Sequence, residues 1–199
     1  VENPHWLVDA KLNITESCFS APNNSIAIIH QQEGGGLNSL TVGELHSKVN
    51  RVANSLRRCN FRPGDAAAII MPMTCEAVAI YLGIIKSGGV VVSIADSFAP
   101  EEIARRLKLG NAKMVFTSDV VVRNGRNLPL FDKVKSAEAP LTIVHFAETS
   151  DHTLLRAGDL AWEQFLGADD SFDAAPCDPN DPINILFSSG TTGDPKAIP

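Results

Sequence analysis

The sequence predicts an α/β fold, a parallel-rich sheet layered with helices. Three observations carry the prediction. Short apolar runs recur at 66–71, 90–95, 113–118, 141–147 and 183–187, the pattern of strands covered on both faces. The stretches between the first three runs have helical spacing with start and stop signals, giving the order β-α-β-α-β. The composition, 44% hydrophobic and 20% charged over 199 residues, suits a globular chain large enough for one ordinary domain or for part of a larger one.

Residues 1–24 show little periodicity and read as an arm preceding the domain, extended or loop-like, with room for one short helix. "SIAIIHQQ" (25–32) reads as a strand, Glu33-Gly34-Gly35-Gly36 as a turn, and "LNSL" as a short returning strand. Thr41 followed by Glu44 is a capping box, and Leu45, Val49, Val52, Ala53 and Leu56 then fall at helical spacing. Arg57 and Arg58 close that helix, where cations suit its dipole. "RPGD" (62–65) turns the chain into the run 66–71. A helix over 75–86 ends at Gly88-Gly89 and leads into "VVVSIA" (90–95). Pro100 opens the next helix at the favoured first position, with Glu101 and Glu102 early and Arg105, Arg106 and Lys108 late. Gly110 closes it before "KMVFTS" (113–118). "LTIVHFA" (141–147) extends the series, "DLAWEQFL" (159–166) reads as a helix, and the acidic stretch 169–181 with Pro176 and Pro179 reads as a surface loop. "INILF" (183–187) is the last strand.

Several function classes are excluded. The net charge is −6 and no Lys/Arg block is present, so no nucleic-acid partner is expected. The longest apolar run, Ala77 to Ile85, is far short of the ~18 residues a membrane span needs, so none is expected. Cys18, Cys59, Cys75 and Cys177 have no CxxC or zinc spacing and read as reduced, mostly buried thiols. His5, His30, His46, His145 and His152 are scattered without ligand spacing, so no metal site is expected from them. Trp6 and Trp162 read as packing residues. Asn13-Ile14-Thr15 and Asn23-Asn24-Ser25 match a glycosylation sequon; with no signal peptide visible in these residues, chance is the better reading.

The informative stretch is "ILFSSGTTGDPKAIP" (185–199). In an open α/β sheet, ligands bind beyond the carboxyl ends of the strands, and this loop follows such an end. Ser188, Ser189, Thr191 and Thr192 offer hydroxyls, and Gly190 and Gly193 let the backbone approach a ligand. Successive N–H groups in such a loop form an anion nest, and Lys196 adds a cation. Donors plus one cation in a glycine loop suit a polyphosphate. A Walker A loop does not fit, because Pro195 and Ala197 flank the lysine where that motif has glycine and Ser/Thr.

The order of residues in "FSSGTTGDPKA" closely resembles the phosphate-binding signature of adenylate-forming (AMP-binding) enzymes, [YF]-T-S-G-[ST]-T-G-x-P-K-G. Phe187, Ser189, Gly190, Thr191, Thr192, Gly193, Pro195 and Lys196 match; Ser188 keeps the hydroxyl of the usual threonine, and Ala197 replaces a glycine. "LTVGEL" (40–45) is similar to the family's L-T-Y-x-E-L, and 64–107 to its second core region. Ser93 and Phe98-Ala99-Pro100-Glu101 lean towards acetyl-CoA synthetases and plant acyl-activating enzymes. The resemblance implies the large N-terminal domain of such an enzyme. The implied division is an arm at 1–24, then an incomplete adenylation domain at 25–199, truncated after the phosphate loop.

The implied chemistry is ATP-dependent acyl-CoA synthesis. A small-molecule carboxylate attacks Mg-ATP to give acyl-AMP and pyrophosphate, and coenzyme A then displaces AMP. Ser188, Ser189, Gly190, Thr191, Thr192, Gly193 and Lys196 would hold the β- and γ-phosphates of ATP, an electrostatic role. None is a general base, since a carboxylate is already ionised at neutral pH. The Mg2+ ligand and the acyl pocket fall outside the chain, so the 199-residue piece is expected to be inactive alone. An intracellular setting is expected, the cytoplasm or an organelle such as the peroxisome. The alternative is a non-catalytic truncated module that binds a nucleotide or a partner.

Overall fold

The computed structural model describes residues 7–147, 152–188 and 195–199. Its elements are α1 (Thr15–Cys18), β1 (Ile26–Gln31), β2 (Leu37–Thr41), α2 (Val42–Arg58), β3 (Ala66–Ile70), α3 (Cys75–Lys86), β4 (Val90–Ser93), α4 (Pro100–Leu109) and β5 (Ala112–Ser118). They continue with β6 (Val120–Arg123), β7 (Arg126–Pro129), α5 (Leu130–Ser136), β8 (Leu141–His145), β9 (Leu160–Ala161), α6 (Trp162–Phe165), β10 (Asn184–Ser188) and β11 (Lys196–Ile198).

The central sheet has the order β11-β10-β4-β3-β5-β8-β9. All neighbours are parallel except β11, which returns antiparallel along β10. Successive residues of the inner strands point to opposite faces. Ala66, Ala68, Ile70, Val90 and Val92 pack with Ile103 and Leu107 of α4 and with Phe131 and Val134 of α5. Ala67, Val91, Met114, Phe116 and Ile143 pack with Val52 and Leu56 of α2, Ile80 and Ile84 of α3, and Trp162 and Phe165. Burial on both faces is the reason these strands read as unbroken apolar runs. Each large side chain fully buried there, such as Phe116, contributes about 1.5–3 kcal/mol.

The helix placement follows from handedness. From β3 the chain steps to one side to reach β4, then crosses back over β3 to reach β5. Right-handed crossovers in opposite directions put α3 and α4 on opposite faces, and the two clusters have them there.

The local signals act as their chemistry requires. Thr41 Oγ1 accepts from Glu44 N at 3.3 Å, and Glu44 Oε2 accepts from Thr41 N at 2.8 Å. These hydrogen bonds satisfy two donors at the start of α2 and hold the Glu44 carboxyl below its ordinary pKa. Gly88, at φ +80°, turns the chain from α3 into β4. The end of α4 differs from expectation: Gly110 has φ −80°, and Asn111 takes the left-handed position at φ 47°.

Other differences are larger. Residues 159–166 form the two-residue edge strand β9 and one turn of helix instead of a full helix, because Leu160 and Ala161 pair with β8. Only Cys75 is buried; Cys59 and Cys177 are half-buried and Cys18 is exposed, all four being free. Asn13 is buried, and its amide donates to Ile85 O (2.9 Å) and Ala175 O (3.0 Å), which leaves a glycan no room. Trp162 is a core residue, while Trp6 lies outside the described residues.

Candidate functional site

The loops following β3 and β4 depart to opposite faces of the sheet, so a crevice opens beyond the C-terminal ends of these neighbours. Strand β10 lies parallel beside β4, with Asn184 opposite Val91 and Ile185 opposite Val92. Its C-terminal end therefore reaches the same rim. There Ser93 Oγ donates to Asn184 Oδ1 at 2.9 Å, fastening the two strands.

At the rim, β10 and β11 form an antiparallel pair: Leu186 opposite Ile198, Phe187 opposite Ala197, and Ser188 opposite Lys196. The chain thus leaves the sheet at Ser188 and re-enters it at Lys196, so the two ends of the expected phosphate loop face each other. Ser188 is half-buried, Pro195 is buried and Lys196 is exposed. Ser189, Gly190, Thr191, Thr192 and Gly193 lie outside the described residues. Phe187 and Ile185 turn towards the α4–α5 side and pack on that core, which anchors the strand beneath the loop.

The same rim holds charged groups that spacing in the sequence does not single out. Arg123 Nη2 donates to both Asp96 oxygens at 2.9 and 3.0 Å, and Lys133 Nζ donates to Asp96 O at 3.2 Å. These contacts tie the loop after β4 to the β6–β7 hairpin and to α5. Asp119, buried at the end of β5, accepts from Val120 N (2.7 Å) and Ala147 N (3.1 Å), while its backbone carbonyl accepts from Leu130 N and Phe131 N. A signal was present in the Asn124-Gly125 pair, a hairpin dipeptide; it locates the turn but not the Arg123–Asp96 partnership.

Burial pushes the thiols of Cys59, Cys75 and Cys177 above the ordinary value, which keeps them protonated and poor nucleophiles. Among the described residues no group of three or more His, Cys, Asp or Glu is placed to hold a metal ion. Among the same residues no helix is long and apolar enough to cross a membrane.

Comparison with known proteins agrees with this geometry. The chain is 43% identical to "Probable acyl-activating enzyme 18, peroxisomal" of Arabidopsis thaliana, with 98% of this chain and 29% of that protein aligned. It is 40% identical to hexanoyl-CoA synthase of Cannabis sativa, covering all of this chain and 30% of that one. Among solved structures, acetoacetyl-CoA synthetase from Streptomyces lividans superposes with a TM-score of 0.89 at 27% identity, over 98% of this chain and 31% of that one. The chain thus spans less than a third of the length of the relatives it matches. A family model described as AMP-binding enzyme matches residues 15–199. Since that match runs through the sheet, the rim and the loop, the chain belongs to the AMP-binding enzyme family.

Proposed function

We propose that this chain supplies the phosphate-binding part of an ATP-dependent acyl-CoA synthetase, an acid–thiol ligase. The observation that carries the reading is the pairing of Ser188 with Lys196 at the C-terminal rim of the parallel strands. It brackets the residues of the family signature at the place where open α/β sheets bind ligands.

In the first half-reaction a carboxylate oxygen of a small organic acid attacks the α-phosphorus of ATP. The bond to the bridging oxygen breaks, and pyrophosphate leaves with the electron pair. In the second, the thiol of coenzyme A attacks the acyl carbonyl. The thioester forms, the thiol proton is released and AMP departs. Mg2+, when bound with the nucleotide, neutralises phosphate charge. The hydroxyls of Ser188, Ser189, Thr191 and Thr192 and the N–H groups about Gly190 and Gly193 donate to the β- and γ-phosphate oxygens. Lys196, exposed at the rim, adds positive charge as pyrophosphate develops. On this reading residues 25–199 belong to the adenylation domain, with 1–24 as an arm. The peroxisome is the compartment we assign, by similarity to the Arabidopsis relative.

The test is carboxylate-dependent exchange of labelled pyrophosphate into ATP, run on the protein from the complete reading frame and on the 199-residue chain. We expect exchange by the former and none by the latter. Lys196→Ala should slow adenylation about 10²-fold and leave thioester formation from supplied acyl-AMP nearly intact. Equal losses in both half-reactions would remove the loop from pyrophosphate chemistry.

A further inference from the structure

On the core side of β10, near Phe187, lies Arg106 of α4. An arginine near the end of an exposed helix usually extends into water, but this one is 6% exposed. Its guanidinium stands 3.9 Å from the ring centroid of Phe98, in the loop after β4, and 5.5 Å from that of Phe187 in β10. Nη1 donates to Glu102 Oε2 at 2.5 Å and to Glu102 O at 2.9 Å, which aims the group one turn back along α4. The same contact holds the Glu102 carboxyl below its ordinary pKa. Nε is buried, and among the described residues it has no hydrogen-bond partner. Leaving a buried donor unmatched is unfavourable, so the placement must be held by something else, and the two rings supply it.

We propose that Arg106 is a positioning residue for the phosphate loop. Its planar cation, in cation–π range of both Phe98 and Phe187, sets the height at which β10 releases the chain at Ser188. This inference rests on the acyl-CoA synthetase reading for its catalytic consequence, but not for its structural one. Phe187 is the last side chain before Ser188 and pairs across the sheet with Ala197, next to Lys196. A shift of the Phe187 ring therefore moves both ends of the loop together. Phe98 belongs to the loop after β4, so the contact also couples the crevice to the phosphate end of the site. A lysine is a poor replacement, because a compact ammonium lacks the broad planar cation that reaches both rings, 3.9 Å from one centroid and 5.5 Å from the other.

The experiment uses the protein from the complete reading frame with Arg106→Met, Arg106→Lys and Phe187→Leu, and the Arg106→Met/Phe187→Leu pair. The first readout is limited native trypsin digestion followed by mass spectrometry. If Arg106 anchors the loop base, cleavage after Lys196 accelerates in Arg106→Met while cleavage after Lys108, exposed on the same helix, stays at the wild-type rate. The second readout is kinetic. Pyrophosphate exchange should fall about 10–100-fold through misplacement of the reacting groups. Thioester formation from supplied acyl-AMP should stay within about twofold, Arg106→Lys should resemble Arg106→Met, and the double variant should be no worse than the poorer single one. Faster cleavage at Lys196 and Lys108 together would reduce Arg106 to a helix-stabilising residue and overturn the proposal, as would unchanged cleavage at both. If only Lys196 cleavage accelerates but the wild-type protein forms no acyl-AMP, the anchoring stands and the acyl-CoA synthetase reading falls.

Discussion

Lys86 shows what a single residue can hide in the sequence. At the end of α3 it reads as a cation placed for the helix dipole, yet it is buried. Its Nζ donates to Asn50 Oδ1 at 2.5 Å and lies 2.8 Å from His46 Nε2. His46 stacks on Phe19 at 4.4 Å, so the cluster fastens the N-terminal arm to α2 and α3. Nothing in the spacing of His46, Asn50 and Lys86 separates this arrangement from three solvated side chains, because burial is decided by what the arm and the 169–175 segment cover. Burial, and then the charge of Lys86, lowers the His46 pKa below its ordinary 6.5. Burial also lowers that of Lys86, with Asp173 and Glu16 opposing. Well above pH 6.5 His46 is neutral in both folded and unfolded chains and contributes no pH dependence. As pH falls below 6.5 the unfolded chain takes the proton first, so stability declines until the lower folded value is passed. Urea midpoints measured at pH 7 and pH 5 should therefore fall further for the wild type than for His46→Gln; parallel declines would remove His46 from the acid response.

At the scale of elements, legibility followed local chemistry. Helices α2, α3 and α4 announce themselves through caps, proline and spacing, and the inner strands through runs that both faces of the sheet require. The segment 159–166 misleads, because eight residues do not separate a helix from an edge strand with one helical turn by periodicity alone. Hairpin β6–β7 rests on Asn124 and Gly125, both at positive φ, a turn suited to twisted strands. Its strands are short and its second strand is exposed throughout, so they lack the alternation that marks a half-buried pair. The α2–α3 contact depends on a position that reads as a mild defect. Gly83 sits inside α3, where glycine weakens a helix, but a Cβ there would lie 2.5 Å from Val52 Cγ1 and 3.2 Å from Val49 O. Gly83→Ala should thus destabilise by about 1–3 kcal/mol through overpacking, despite its better helix propensity. A denaturation midpoint at or above the wild-type value would mean that the helices separate freely.

For the molecule as a whole, the family was readable, because the signature is contiguous. Strand order was not, because β10 takes its place beside β4 through pairings that no local pattern encodes. The opposite face of this edge is unlike its core side: Leu186 and Ile198, a cross-strand pair, are 54% and 50% exposed. An exposed apolar pair on a short edge invites further pairing. The 199-residue chain in isolation is expected to self-associate with rising concentration. Leu186→Lys with Ile198→Lys should shift it towards monomer in sedimentation velocity. Unchanged association would place the contact elsewhere.

The bond from Ser93 to Asn184 joins residues 91 positions apart, and that interval is also a waiting time. Synthesis at ~5–20 residues per second separates the two strands by on the order of ten seconds. During that time β4 has β3 on one side, and the backbone of Val90, Val91 and Val92 is open on the other. An unpaired valine edge is a template for other chains. We therefore expect the yield of folded protein to follow how fast the ribosome crosses the codons for residues 94–183, and soluble yield compared between slow- and fast-codon versions with the same side chains is the measurement that checks it.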